Sequence, residues 1–185
     1  MDQWGLAPNG LIAHHLGLSI RIPFHMADTV TLHINKEAHK FSAAHYTIFS
    51  ASERERLHGH NYAVSARIVA VMGENGFAAD YNVYKRLIKN LCDELDEYML
   101  LAENSPWQQI RTVGDDLEVL FAGKTLRFPV DETRVLPITN VTIEELSGFL
   151  LSRLVSDCLD DALVELEVGV SSGAGQLATS VWRRS

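Results

Sequence analysis

The sequence predicts an α+β protein in which an antiparallel sheet is covered on one face by two helices. Two periodicities carry this prediction. Apolar residues alternate along some segments, as in half-buried strands, and recur every three to four residues along two others, as in amphipathic helices. Apart from a glycine-containing arm and a hairpin, the order is strand–strand, helix, helix, strand–strand.

The first part of the chain predicts strands. Residues 1–17 contain three glycines and a proline and are expected to form an irregular arm. Alternation then predicts strands at 18–24 and at 30–34, the second continuing to His45 as one long, bent strand. Residues 64–72 extend the strand that begins at the next histidine pair.

Helical spacing marks two later segments. Residues 80–101 carry apolar residues at every fourth position, and Asp80 occupies the N-cap position. A second helix opens at Thr142, and Glu145 three residues later gives a capping-box pattern.

We expect the whole chain, residues 1–185, to form one domain. Between the helices, residues 117–121 and 125–130 flank an Ala-Gly-Lys turn and predict a β-hairpin. This hairpin belongs to an insertion at about 106–138. Two further strands close the chain, at 163–171 and 177–182.

Composition excludes several function classes. The formal net charge of −8 argues against non-specific binding to nucleic acid or to an anionic membrane. No apolar run is long enough for a membrane span, and the N-terminus does not have the pattern of a signal peptide. Cys92 and Cys158 fall inside predicted helices without metal-site spacing, which indicates reduced packing residues in a cytoplasmic protein.

Three histidines form a candidate metal site. His58 and His60 are one residue apart, so their side chains share one face of an extended strand. His45 follows Phe41 and Ala43 at alternate positions of another apolar run. If these runs pair antiparallel, three imidazoles converge, and three imidazoles with one open position are a usual shell of catalytic zinc. The alternative is an accidental cluster, since the chain has eight histidines.

Six segments resemble the 6-pyruvoyl-tetrahydropterin synthase and 6-carboxytetrahydropterin synthase family. They are FSAAH at 41–45, LHGHNY at 57–62, GFAADYNVYK at 76–85, LDEYML at 95–100, VTIEEL at 141–146 and VGVSSGAG at 168–175. The resemblance implies a T-fold, in which subunits join their sheets into a barrel, and hence a homo-oligomer, a hexamer in this family. It also implies Zn²⁺ on His45, His58 and His60, and a pterin substrate of the type of 7,8-dihydroneopterin triphosphate.

The sequence departs from the family pattern at three positions. Arg54 stands where the family has a cysteine, four residues before the histidine pair. Glu97 follows Asp96 where the family has a histidine. Val170 takes the position of the glutamate that anchors the pterin ring. An arginine cannot act as the base, and a valine cannot accept hydrogen bonds from a pterin.

Carboxylates are therefore the candidates for proton transfer. Some relatives replace the cysteine by glutamate, and Glu53 and Glu55 flank the vacant position. We take Glu55 as a candidate base, against the alternative that this Glu-Arg repeat is only a solvated loop. Asp96 and Glu97 are candidates for an acid–base pair, against the alternative of a charged helix end.

Candidate substrate-binding residues come from the same matches. Arg54 and Arg56 beside a metal would suit an anionic substrate, because guanidinium groups bind phosphate or carboxylate through two parallel hydrogen bonds. Thr142 and Glu144 match positions that line the family pocket, although capping also explains Thr142.

Three functions remain open at this point. The first is a zinc-dependent lyase acting on 7,8-dihydroneopterin triphosphate or a related pterin. The second keeps the zinc and changes the substrate to another purine- or pterin-like compound, because Val170 removes the usual anchor. The third is a zinc-stabilised scaffold without catalysis.

Overall fold

The computed structural model describes residues 29–158 and 160–185. The arm expected at 1–17 and the strand expected at 18–24 lie outside the described residues. Within these ranges the chain forms nine strands, two α-helices and one 3-10 turn. They are β1 (Thr29–His45), β2 (His58–Val71), α1 (Tyr81–Leu95), β3 (Tyr98–Ala102), β4 (Gln108–Val113), β5 (Asp116–Phe121), β6 (Lys124–Pro129), the 3-10 turn (Val130–Glu132), β7 (Thr133–Leu136), α2 (Ile143–Cys158), β8 (Leu163–Gly173) and β9 (Gln176–Arg183).

Six of the described strands form the main sheet, in the order β7-β3-β1-β2-β8-β9. The four strands β1, β2, β8 and β9 pair antiparallel, as the sequence predicts. β3 and β7 extend the sheet with parallel pairings, which the sequence analysis missed. Both helices lie on one face, where α1 packs on β1 and α2 packs on β8 and β9.

β1 is the long, bent strand that alternation predicts. Its pairing with β2 changes register between Asn35 and Lys40, so β1 contains extra residues that bulge at this point. Beyond the bulge, Phe41 packs against Tyr62 of β2 with ring centroids 4.8 Å apart. This aromatic pair lies beside the histidines, because Phe41 precedes His45 on β1 and Tyr62 follows His60 on β2.

The first helix ends earlier than the spacing predicts. Asp80 is the N-cap, and its side chain accepts a hydrogen bond from the Asn82 amide at 2.9 Å. The predicted extension to residue 101 is wrong, because α1 ends at Leu95 and Glu97 adopts a left-handed backbone with φ of 65°. The following apolar run is the buried strand β3, and a short apolar run gives the same sequence signal in either structure.

The second helix begins where the capping pattern places it. Thr142 Oγ accepts a hydrogen bond from the Glu145 amide at 3.4 Å. Only half of the capping box forms, because the Glu145 carboxylate instead accepts hydrogen bonds from the amide and the hydroxyl of Thr139. That contact holds the segment before α2 against the helix.

The predicted hairpin exists as β5 and β6, and β4 adds a third antiparallel strand to it. This small sheet has its own apolar cluster, separate from the core between the main sheet and the helices. The cluster joins residues of β3 and β5 to the segment that follows β1; its buried members are Tyr46, Ile48, Met99, Leu101, Leu117, Val119 and Phe121. The small sheet therefore lies beside the chain just after His45.

Two expectations from composition concern the core and the membrane. Cys92 and Cys158 are buried and free, in agreement with a packing role. Among the described helices, none is long and apolar enough to cross a bilayer.

Candidate metal centre

The pairing of β1 with β2 brings the three predicted histidines together. His45 lies opposite His58, and Ala43 lies opposite His60, so all three imidazoles project from the same end of the two strands. One ligand atom from each ring lies within 4.8 Å of the others. The register of two strands therefore produces the convergence that the sequence spacing predicts.

Hydrogen bonds to backbone carbonyls fix the protonation of two rings. His45 Nδ1 donates to Val141 O at 2.9 Å, and His58 Nδ1 donates to Arg56 O at 2.8 Å. A carbonyl oxygen can only accept, so Nδ1 is the protonated nitrogen of the neutral tautomer at both positions. This tautomer presents the Nε2 lone pair to a cation, which is the usual arrangement behind a metal-binding histidine.

The donor set fits a metal ion. His58 Nε2 and His60 Nε2 lie 3.1 Å apart. Two nitrogens on one tetrahedral zinc, each about 2.0–2.1 Å from the ion, are separated by about 3.3 Å. His45 Nε2 is buried and has no hydrogen-bond partner among the described residues. An orphaned acceptor in a buried site costs free energy unless something binds it.

The centre is closed on one side and open on the other. His45 is 4% exposed and lies against Val141, which is two residues before the start of α2. The His58 side chain is 36% exposed. Burial is the main reason that the pKa of His45 is lowered, and it favours the neutral ring that a metal requires. A ligand can therefore approach from the side of His58.

Glu55 lies on this open side. Its Oε2 is 3.8 Å from His58 Nε2 and accepts a hydrogen bond from the Thr47 amide at 3.1 Å. The Glu55 amide in turn donates to Thr47 O at 2.8 Å, so the segment is held by two bonds to one residue. The hydrogen bond from the Thr47 side chain lowers the pKa of Glu55 and keeps its carboxylate ionised. Glu55 is thus not a freely solvated side chain.

Arg54 is held by an aromatic ring. Its guanidinium carbon lies 4.5 Å from the centroid of the Tyr46 ring, and Nη1 donates to Glu55 O at 2.6 Å. The Tyr46 hydroxyl donates to Gln108 Oε1 at 2.7 Å, which ties the ring to β4. Burial raises the pKa of Tyr46 to about 12, so the ring stays neutral beneath the cation.

Asp96 and Glu97 do not form an acid–base pair with the histidines through any hydrogen bond in the described part of the chain. Asp96 Oδ1 accepts from the Ser42 amide at 2.6 Å, and the Glu97 amide donates to Ser42 O at 2.7 Å. Both contacts attach the end of α1 to β1. Glu97 also lines a cavity of about 500 Å³ that is bordered by His60 and Asn61.

The predicted binding residues Thr142 and Glu144 lie at the start of α2. They are close in sequence to the metal centre, because the preceding Val141 accepts the hydrogen bond from His45. Thr142 caps the helix with its hydroxyl. Glu144 borders a different cavity, of about 430 Å³, on the side of Phe149. Of Val141, Thr142 and Glu144, Val141 is the residue that forms a hydrogen bond with the histidine cluster. A backbone carbonyl that orients a metal ligand leaves no sequence signal.

Val170 belongs to the core. It is fully buried and pairs with Val64 of β2 and Ala178 of β9. Its side chain packs in the core cluster between the main sheet and the helices.

Two residues of the site were missed from the sequence. Tyr62 lies with its ring centroid 6.0 Å from that of His45 and 5.7 Å from that of His60, and it backs the cluster from the core side. Its place two residues after His60, on the same strand face, was an available signal. Thr47 binds Glu55 from a non-regular segment, where periodicity gives no information.

These features define the class of protein as a T-fold protein with a candidate three-histidine metal centre. The structure superposes on Plasmodium vivax 6-pyruvoyltetrahydropterin synthase with a TM-score of 0.79 and 26% identity, covering 84% of this chain and 99% of that one. The Plasmodium falciparum enzyme gives the same TM-score at 23% identity, covering 85% and 99% of the two chains, and supports the fold.

The family model of 6-pyruvoyl tetrahydropterin synthase matches residues 33–180, and the chain belongs to this family. A Methanocaldococcus jannaschii protein with the provisional name 6-carboxy-5,6,7,8-tetrahydropterin synthase is 28% identical over 142 residues, covering 74% of this chain and 86% of that protein. A Pyrococcus horikoshii protein with the same provisional name is 27% identical over 119 residues, covering 64% of this chain and 71% of that protein.

Proposed function

We propose that this protein is a zinc-dependent lyase that acts on 7,8-dihydroneopterin triphosphate or a related pterin. The observation that carries the proposal is the convergence of His45, His58 and His60, with the Nε2 of the buried His45 lacking a partner among the described residues. The names of the relatives point to the same substrate class.

His45, His58 and His60 would hold the ion, and three neutral imidazoles suit zinc in particular. A bound zinc ion would supply Lewis acidity toward the hydroxyl groups of the substrate side chain. The protein's own contribution is to orient the rings through the carbonyls of Val141 and Arg56.

Glu55 would act as the general base in place of the family cysteine. Its carboxylate is ionised, lies 3.8 Å from His58 Nε2 and faces the open side of the centre. It would accept a proton from the substrate side chain, while the electron pair of the broken carbon–oxygen bond leaves with triphosphate. A Plasmodium vivax relative of known structure carries a substitution of a glutamate that is described as a catalytic residue, which supports a carboxylate base.

Asp96 and Glu97 would have different roles. Asp96 accepts the Ser42 amide, so we assign it to positioning the turn between α1 and β3. Glu97 borders the cavity shared with His60 and would be a second proton carrier. The resemblance further implies a homo-oligomer in which sheets of neighbouring subunits join, and a hexamer is the assembly to test first.

A second candidate function follows from Val170. Because this side chain is fully buried where the family has its anchoring glutamate, another purine- or pterin-like compound is the alternative substrate of the same centre.

The experiment is turnover by zinc-loaded protein. Incubation with 7,8-dihydroneopterin triphosphate should release triphosphate, and mass spectrometry should show a pterin product with a shortened or dehydrated side chain. The Glu55→Gln variant should bind zinc and lose turnover. If zinc-loaded wild-type protein consumes no pterin triphosphate, the lyase proposal is wrong.

A further inference from the structure

A second cavity lies between the β1–β2 connection and the small sheet. Its volume is about 410 Å³, within the range of small-molecule sites. One wall consists of residues 52–57, and the other comes from the β5–β6 hairpin, including Phe121 and Lys124. Glu55, which lies 3.8 Å from His58, is part of the lining, so the cavity adjoins the candidate metal centre.

Three cationic side chains border this cavity: Arg54, Arg56 and Lys124. Arg54 is fixed in place, because its guanidinium carbon lies 4.5 Å from the Tyr46 ring centroid and 5.9 Å from that of Phe121. Within residues 29–158 and 160–185, no carboxylate lies close enough to Arg56 or Lys124 to form an ion pair. Arg56 and Lys124 therefore border the cavity without an ion-pair partner among the described residues.

Two carboxylates, Glu53 and Glu55, also border the cavity. Glu55 is already engaged by the Thr47 amide and faces His58. The three positive charges are therefore opposed mainly by the exposed Glu53, and the local balance is positive although the whole chain carries −8. A local excess of cations in an acidic protein indicates selection of an anion.

The hairpin turn determines the position of Lys124. Ala122 and Gly123 both have positive φ, 48° and 74°, as in the type I′ turn that joins two adjacent strands tightly. Lys124 then pairs with Phe121, whose side chain is buried in the apolar cluster of the small sheet. The lysine thus extends from a rigid hairpin rather than from a loose loop.

We propose that Arg54, Arg56 and Lys124 form an anion subsite that receives the polyphosphate arm of the substrate while its pterin-like part faces the metal centre. This inference rests on the proposed function and narrows it to substrates that carry a phosphate chain. Guanidinium groups bind phosphate oxygens through paired hydrogen bonds, and an ammonium adds a point charge. Lys124 and Arg56 are the specificity-determining residues of this subsite.

The test is calorimetric binding of inorganic triphosphate to metal-free protein at low ionic strength, so that zinc cannot bind the probe. The wild type should bind triphosphate, and Lys124→Gln and Arg56→Gln should each weaken binding about tenfold, the equivalent of one lost charge-assisted contact. Lys89→Gln is the matched control, because Lys89 lies on α1 and pairs with Asp93. It should bind within about twofold of the wild type.

Absence of triphosphate binding by the wild type, or equal binding by the Lys124→Gln/Arg56→Gln double variant, overturns the subsite. Turnover separates this result from the lyase proposal. If the variants bind triphosphate more weakly than the wild type but the wild type shows no turnover, the subsite proposal stands and the lyase proposal is wrong. If the double variant turns over the substrate normally with an unchanged KM, the lyase proposal stands and the subsite proposal is wrong.

Discussion

Replacing His45 or His58 by alanine should abolish zinc binding in both cases but should lower the free energy of unfolding by different amounts. His45 is 4% exposed, and its ring donates to Val141 O, whereas the His58 side chain is 36% exposed. Replacing His45 by alanine leaves the Val141 carbonyl without its buried donor, at about 1–3 kcal/mol, and removes packing against Tyr62. The substitution also removes the buried, unpartnered Nε2, which offsets part of this loss, so we expect His45→Ala to cost about 1–3 kcal/mol in metal-free protein.

His58→Ala is the matched control. Its Nδ1 bond to Arg56 O is exposed, so the substitution should cost less than about 1 kcal/mol without metal. Urea unfolding of EDTA-treated proteins gives both values, and elemental analysis of zinc-reconstituted proteins gives the metal content. Both variants should lose the zinc. Equal costs in the metal-free state, or one retained zinc per chain in either variant, would refute the reasoning.

Four further outcomes are expected. His60→Ala should abolish zinc binding, measured by elemental analysis, and should raise hydrogen exchange in β1 and β2; stoichiometric zinc would contradict the ligand assignment. Glu55→Gln should retain zinc and reduce kcat at least about a hundredfold, as removal of a general base does, and kcat within threefold of the wild type would exclude this role. Glu97→Gly should not destabilise the protein in urea, because φ of 65° suits glycine, and a loss above about 1 kcal/mol would contradict this. Burial lowers the pKa of His39 from 6.5, so the unfolded state binds the proton more readily than the folded state. The free energy of unfolding should therefore be highest above about pH 6.5 and should fall below that pH. His39→Leu should reduce the difference between the values that urea unfolding gives at about pH 5 and at about pH 7.5.

The elements predicted correctly are those with a clear period. Alternation predicts the antiparallel strands β1, β2, β8 and β9, and the same two-residue period predicts that His58 and His60 share a face. Their convergence with His45 needs only the antiparallel register of two neighbouring strands.

What could not be predicted depends on contacts that are distant in sequence. β3 was read as helix because a buried apolar run has no distinctive period, and its strand state depends on pairing with β1 and β7. β4 was missed for a related reason, since it is stabilised by pairing with β5. The role of Val141 depends on its carbonyl, and the aromatic support of Arg54 comes from the non-regular segment after β1.

The proposed function requires that three imidazoles hold one zinc ion and leave a position open for a reactant. X-ray absorption at the zinc edge of reconstituted protein measures this coordination shell. We expect one zinc per chain with three imidazole nitrogens at about 2.0–2.1 Å and one oxygen that the protein does not supply. Fewer than three imidazoles, a sulfur ligand or a shell completed by a fourth protein group would contradict it.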